Sequence, residues 1–197
     1  MGNVQLFRKE EIVQDFKNGL SRQMILEGTC PGIEIYRCTL QAGMVWEPEL
    51  YSRQDRMQIF FFTEATGFVE TTNLAYNLTD KAVFVPDFDN DRVVIHAGGK
   101  NLNFYHFTGP MTEVDHRQMK NCQTVLPRFR RLCDSWEYTE RFTQESGSKV
   151  KSHSVIEGRR LGRYTMGWNI GAGPTFVGEH THPTLEQWYF MLDGSDF

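Results

Sequence analysis

Between residues 7 and 20 the apolar side chains Ile12, Phe16 and Leu20 recur at every fourth position, with Gly19 and Gly28 as exits, and this spacing predicts a short amphipathic helix. From Ile33 the pattern changes. Residues 33–40, 57–63, 67–72, 81–86, 92–96 and 101–108 form short runs rich in β-branched and aromatic side chains. Turn-forming residues separate most of them, as in Pro86-Asp-Phe-Asp-Asn-Asp91 and Gly98-Gly-Lys-Asn101. A series of short strands punctuated this way predicts a sandwich or barrel. Residues 115–121 and 128–140 are polar and compatible with short helices, and residues 143–151 read as a loop. In residues 161–170, Tyr164, Met166, Trp168 and Ile170 alternate with Arg163, Thr165, Gly167 and Asn169, the signature of a half-buried strand. The glycine-rich turn Gly171-Ala-Gly-Pro174 follows, and a further strand is expected at residues 186–192.

Composition narrows the class. The chain has 197 residues, 40% hydrophobic and 13% aromatic, which supports a core and argues against disorder. A net charge of −4 calls for neither a nucleic-acid nor an anionic-membrane partner. Apolar runs such as Ile59-Phe-Phe-Phe62 are too short to span a bilayer, and the N-terminal residues carry no apolar signal core, so a cytoplasmic protein is expected. Cys30, Cys38, Cys122 and Cys133 form no Cys-x-x-Cys pair and are read as reduced thiols. Arg128, Arg130, Arg131 and Arg141 make one stretch locally basic, but Asp134, Glu137 and Glu140 interleave with them, the pattern of a solvated face.

The two strand-rich regions resemble each other. Gly173 follows Gly43 by 130 positions, and Gln187-Trp-Tyr-Phe-Met follows Gln58-Ile-Phe-Phe-Phe by 129. A tandem repeat is therefore expected, with residues 1–110 as the first copy, 111–150 as a linker with short helices, and 151–197 as the start of the second copy. The second copy has fewer strands than the first, so the sequence is read as part of a longer protein or as one completed by another subunit.

The segment Gly178-Glu-His-Thr-His-Pro-Thr-Leu-Glu-Gln187 carries the most specific chemistry. Residues two apart on a strand share a face, so His180 and His182 can present both imidazoles to one ion. Glu186 and Gln187 offer oxygen donors, and such a set suits one divalent ion of Fe, Mn, Ni, Co or Zn. There is no Gly-x-Gly-x-x-Gly, Walker loop or Gly-x-Ser-x-Gly elbow.

Gly173, His180-Thr-His182, Gln187 and Gly194 resemble the first motif of the cupin superfamily, with the first spacing one residue long and Gln187 where Glu is usual. The resemblance, with the repeat, implies a mostly β protein of the cupin-type double-stranded β-helix, or jelly roll: a bicupin with an N-terminal helix and a helical linker. It implies metal binding by His180, His182 and Gln187, with Glu186 the other choice for the third ligand and a further His outside this sequence. Strand alternation ties the choice to the neighbours: Tyr189 and Met191 face inward with Gln187, whereas Trp188, Phe190 and Leu192 face inward with Glu186. The first copy lacks the set, having Tyr51 and Arg53 where the second has His180 and His182, with only Glu47 and Glu49 nearby. His96 and His106 are read there as turn or packed residues, and His116 and His153 as solvated. The function implied is a metal-dependent enzyme acting on a small polar metabolite by isomerase, lyase or dioxygenase chemistry, with Glu179 or Glu186 as proton shuttle. The alternative is a non-catalytic module binding a small molecule such as a sugar or organic acid. A first copy without the metal set also suits dimerisation, and a homodimer is expected.

Overall fold

The computed structural model describes residues 4–177, 180–182 and 184–192. In chain order the elements are β1 (Phe16–Lys17), β2 (Leu20–Ile25), β3 (Glu34–Leu40), β4 (Val45–Trp46), β5 (Arg56–Phe62), β6 (Phe68–Thr71), β7 (Ala75–Asn77), β8 (Ala82–Val85), β9 (Val93–His96) and β10 (Leu102–Pro110). Helix α1 (Glu113–Asn121), β11 (Arg128–Arg131), β12 (Trp136–Tyr138), α2 (Arg141–Ser146), β13 (Lys151–Leu161) and β14 (Tyr164–Ile170) follow. Strands pair in three antiparallel sheets, ordered β1-β2-β3-β10-β5-β8-β11, β4-β9-β6-β7 and β12-β13-β14.

The first two sheets face each other. Cys38, Leu40, Phe60, Phe62, Ala82, Phe84, Leu102 and Phe104 of the large sheet meet Val69, Val93 and Ile95 of the smaller one in a single buried cluster. The third sheet covers the opposite face of the large one. Ile35, Met57, Ile59, Phe61, Val83, Val85 and Phe107 pack there against Val155, Ile156 and Leu161. β5 is therefore buried on both sides, which is why the sequence runs through four consecutive apolar residues where a one-sided strand would alternate. Each such side chain contributes roughly 1.5–3 kcal/mol on burial.

The predicted strands at residues 33–40, 57–63, 67–72, 81–86, 92–96 and 101–108 correspond to β3, β5, β6, β8, β9 and β10. The predicted N-terminal helix does not form. Its residues make a three-residue 3-10 turn at Lys9–Glu11 and then the β1–β2 hairpin. Asn18 and Gly19 form the two-residue turn, with φ of 51° and 82°, the left-handed pair that a tight hairpin demands. The Asn-Gly dipeptide is the stronger signal, and the fourfold spacing of Ile12, Phe16 and Leu20 coincides with it by accident. Residues 128–140 are likewise not helical but form β11, a 3-10 turn and β12. Arg128 and Arg130 are not a solvated face, because both pair with Glu157 of β13. The expected loop at 143–151 begins as the end of α2, which Gly147 closes with φ of 71°. The expected strand at 186–192 joins no sheet.

Helix α1 is fixed by its capping box. Asp115 Oδ2 accepts from the Thr112 backbone N–H at 2.9 Å, and Asp115 Oδ1 accepts from the Arg163 N–H at 2.8 Å, tying the helix to the β13–β14 turn. No helix among the described residues is long and apolar enough to cross a membrane.

Candidate functional site

Register decides what fills the polar end of the space between the two facing sheets. Across β3, β10 and β5, His106 sits opposite Tyr36 and Phe60, and Thr108 opposite Glu34 and Gln58. The His106 ring lies parallel to Phe60 at 4.6 Å between centroids, with Trp46 edge-on at 5.9 Å. Gln58 Nε2 donates to the Glu49 carbonyl at 2.9 Å and lies 3.2 Å from His106 Nε2, while Gln58 Oε1 accepts from the Tyr51 N–H at 3.3 Å. With Gln58 as donor, His106 Nε2 accepts and the proton sits on Nδ1, a buried atom without a partner. Burial, helped by the Arg22 charge, pushes the His106 pKa down to about 3. Gln58 thus pins the β4–β5 loop to a neutral, packed histidine.

The C-terminal segment carries the residues singled out for metal binding. His180 and His182 lie side by side, their ring centroids 4.7 Å apart and their planes 84° to each other. Gln187 is exposed, and its Oε1 accepts from the Tyr189 hydroxyl at 3.2 Å. Glu179 lies outside the described residues, as does Gly194. Among the described residues no three His, Cys, Asp or Glu side chains converge as a metal cluster.

Residues 186–192 sort by parity although they pair with no strand. Trp188, Phe190 and Leu192 pack on the outer face of the large sheet. Trp188 Nε1 donates to Thr29 Oγ1 at 3.1 Å, and the Phe190 ring sits 4.6 Å from Tyr105 and 5.4 Å from Phe107. Gln187, Tyr189 and Met191 are exposed and alternate with these residues. β5 sorts the same way, with Ile59 and Phe61 in the outer cluster and Phe60 and Phe62 in the barrel. Glu186, two residues before Trp188, is close enough for its charge to add to the effect of burial in raising the Cys30 pKa.

The remaining histidines have structural surroundings. His96 Nε2 lies 2.8 Å from Glu70 Oε2 and stacks on Phe68, and His153 stacks on Trp168 at 4.7 Å. His116 lines an open cleft beside α1. All four cysteines are unbridged, and burial pushes the Cys38 thiol up to about 12, which keeps it protonated and inert.

No protein-family model matches the sequence, and no curated protein matches it. Solved structures do resemble the fold. A protein of Pseudomonas aeruginosa described as glyoxylate-induced matches with a TM-score of 0.56 and 12% identity over 71% of this chain and 50% of its own. The protein Ylba of E. coli matches with a TM-score of 0.50 and 6% identity over 76% of this chain and 62% of its own. The cupin domain of Schizosaccharomyces pombe Cnp3 matches with a TM-score of 0.45 and 13% identity over 59% of this chain and 76% of its own. The chain thus spans half to two thirds of the first two proteins. At these identities the likeness is one of fold alone: a mostly β, antiparallel architecture.

Proposed function

We propose that this chain belongs to a bicupin enzyme that binds one divalent metal ion and acts on a small polar metabolite. The observation that carries this reading is the approach of His180 and His182, whose rings are 4.7 Å apart. Two imidazoles at that spacing fit ligation of a single ion. Gln187 is the third ligand in this reading. It lies on the side of its segment turned away from the first barrel, as Phe60 and Phe62 lie on the barrel side of β5, and Tyr189 and Met191 share that side. The exposed apolar pair suits the interior of a second barrel, where Phe60 and Phe62 are their counterparts.

Bound there, an ion of Fe, Mn, Ni, Co or Zn supplies Lewis acidity toward a carbonyl, carboxylate or enediol oxygen and, in the case of Fe(II) with O₂, oxygen chemistry. The two histidines and Gln187 would hold the ion. Glu179, beside the first histidine in sequence, moves the proton; Glu186 is the alternative, although its side of the segment is the one shared with Trp188. The substrate class follows from the donor set, which favours a chelating oxygen ligand.

Elemental analysis of purified wild type and the His180→Ala/His182→Ala variant tests the site. Near-stoichiometric metal in the wild type, absent from the variant, is the expected result. Metal retained in the variant, or none in either protein after incubation with each candidate ion, overturns the proposal and leaves a module that binds its ligand without metal.

A further inference from the structure

A second polar site lies away from the histidine segment, in a cleft of about 630 Å³ beside α1. Its walls are Arg53 from the β4–β5 loop, His116, Arg117 and Lys120 from α1, and Gln123 and Thr124 from the turn after it, with Met119 at the base. Three permanent cations line it, and no carboxylate does. Among the described residues none of the three has an ion-pair partner, whereas Arg128, Arg130, Arg131 and Arg141 each find a carboxylate. In a protein of net charge −4 such a concentration of unpaired positive charge is not a by-product of composition.

The end of α1 does not neutralise these cations. Carbonyl groups in the last turn of a helix attract them, but here most are already satisfied. The Gln118 carbonyl accepts from Cys122 N–H, that of Met119 from Thr124 N–H, that of Lys120 from Gln123 N–H, and that of Cys122 from the Arg160 guanidinium. Gln123 adopts φ of 50°, the left-handed conformation that turns the chain at the cleft wall. His116 adds a buried Nδ1 with no hydrogen-bond partner. Three cations and a polar amide thus line a concave surface large enough for a small molecule.

We infer that this cleft binds a small dianion, a phosphate monoester or a dicarboxylate, with Arg53 and Arg117 as the principal contacts and Lys120 as the third charge. Guanidinium groups suit either anion because their paired N–H donors match two oxygens at once. Arg53 comes from a loop and Arg117 from a helix 64 positions later, so the site exists only in the folded chain.

Calorimetric titration of the full chain with inorganic phosphate, and separately with malonate, in low-salt buffer tests the inference. The proteins are the wild type, Arg53→Gln/Arg117→Gln, and Lys17→Gln/Arg141→Gln, which removes the same charge from exposed positions elsewhere. Saturable one-site binding of either anion, weakened about tenfold or more in the cleft variant and retained in the control, is the expected result. The anion that binds more tightly identifies the ligand class. Absence of saturable binding for both anions overturns the inference, as does equal weakening in the two variants. The cleft lies outside the histidine segment, so loss of metal binding in His180→Ala/His182→Ala leaves this result unaffected.

Discussion

Replacing His106 by Leu should change how stability depends on pH. The folded imidazole is buried against Phe60 and Trp46, with its pKa pushed to about 3 by burial and by the Arg22 charge. In the unfolded chain it titrates near the ordinary histidine value of about 6.5. The unfolded state therefore binds more protons between these limits. The stabilising contribution is complete above about pH 6.5 and is lost progressively as pH falls toward 3. At pH 5 the gap between the unfolded pKa and the pH is about 1.5, a loss of roughly 2 kcal/mol. His106→Leu also strips Gln58 Nε2 of an acceptor, which costs about 1–3 kcal/mol at every pH. The variant is therefore less stable at pH 7, and its readout is the slope. Urea unfolding followed by tryptophan fluorescence at pH 7, 6 and 5 measures both proteins. The wild type should lose about 2 kcal/mol more than the variant between pH 7 and 5. Parallel curves would show that His106 takes up its proton in the folded state and would refute the burial argument.

Two further outcomes rest on packing. Gly67 has φ of 86°, and a Cβ there would meet the His96 carbonyl oxygen at 1.9 Å, so Gly67→Ala must push β6 from β9 or distort the turn; a loss of about 2–4 kcal/mol is expected by thermal or urea unfolding, and a loss below 0.5 kcal/mol would contradict the close approach. Phe190→Ala removes the ring held between Tyr105 and Phe107, at a cost of about 1–3 kcal/mol to the docking of residues 184–192. Limited proteolysis should cut that segment faster while β5 and β10 stay intact, and an unchanged rate of cutting there would show that the segment is held by other contacts.

The strands of the two facing sheets were legible because they are short, separated by turn chemistry and rich in β-branched and aromatic residues. The N-terminal hairpin was misread because period was weighed above the Asn18-Gly19 dipeptide, whose backbone requirement is local and specific. Composition failed at Arg128 and Arg130 for the opposite reason. Their partner Glu157 lies 29 and 27 residues away, beyond any local pattern, and only the docking of β13 brings it near. The cleft of Arg53 and Arg117 escaped for the same reason. His180-x-His182 was visible because both donors fall within three residues. The third donor of the proposed site depended on parity alone, and parity leaves two readings of residues 186–192 until something buries one side. Tyr105 and Phe107 bury that side by holding Phe190, and this contact leaves Gln187 on the exposed side. A long-range aromatic contact therefore sorts the side chains of residues 187–192 onto two sides, which local spacing alone leaves open.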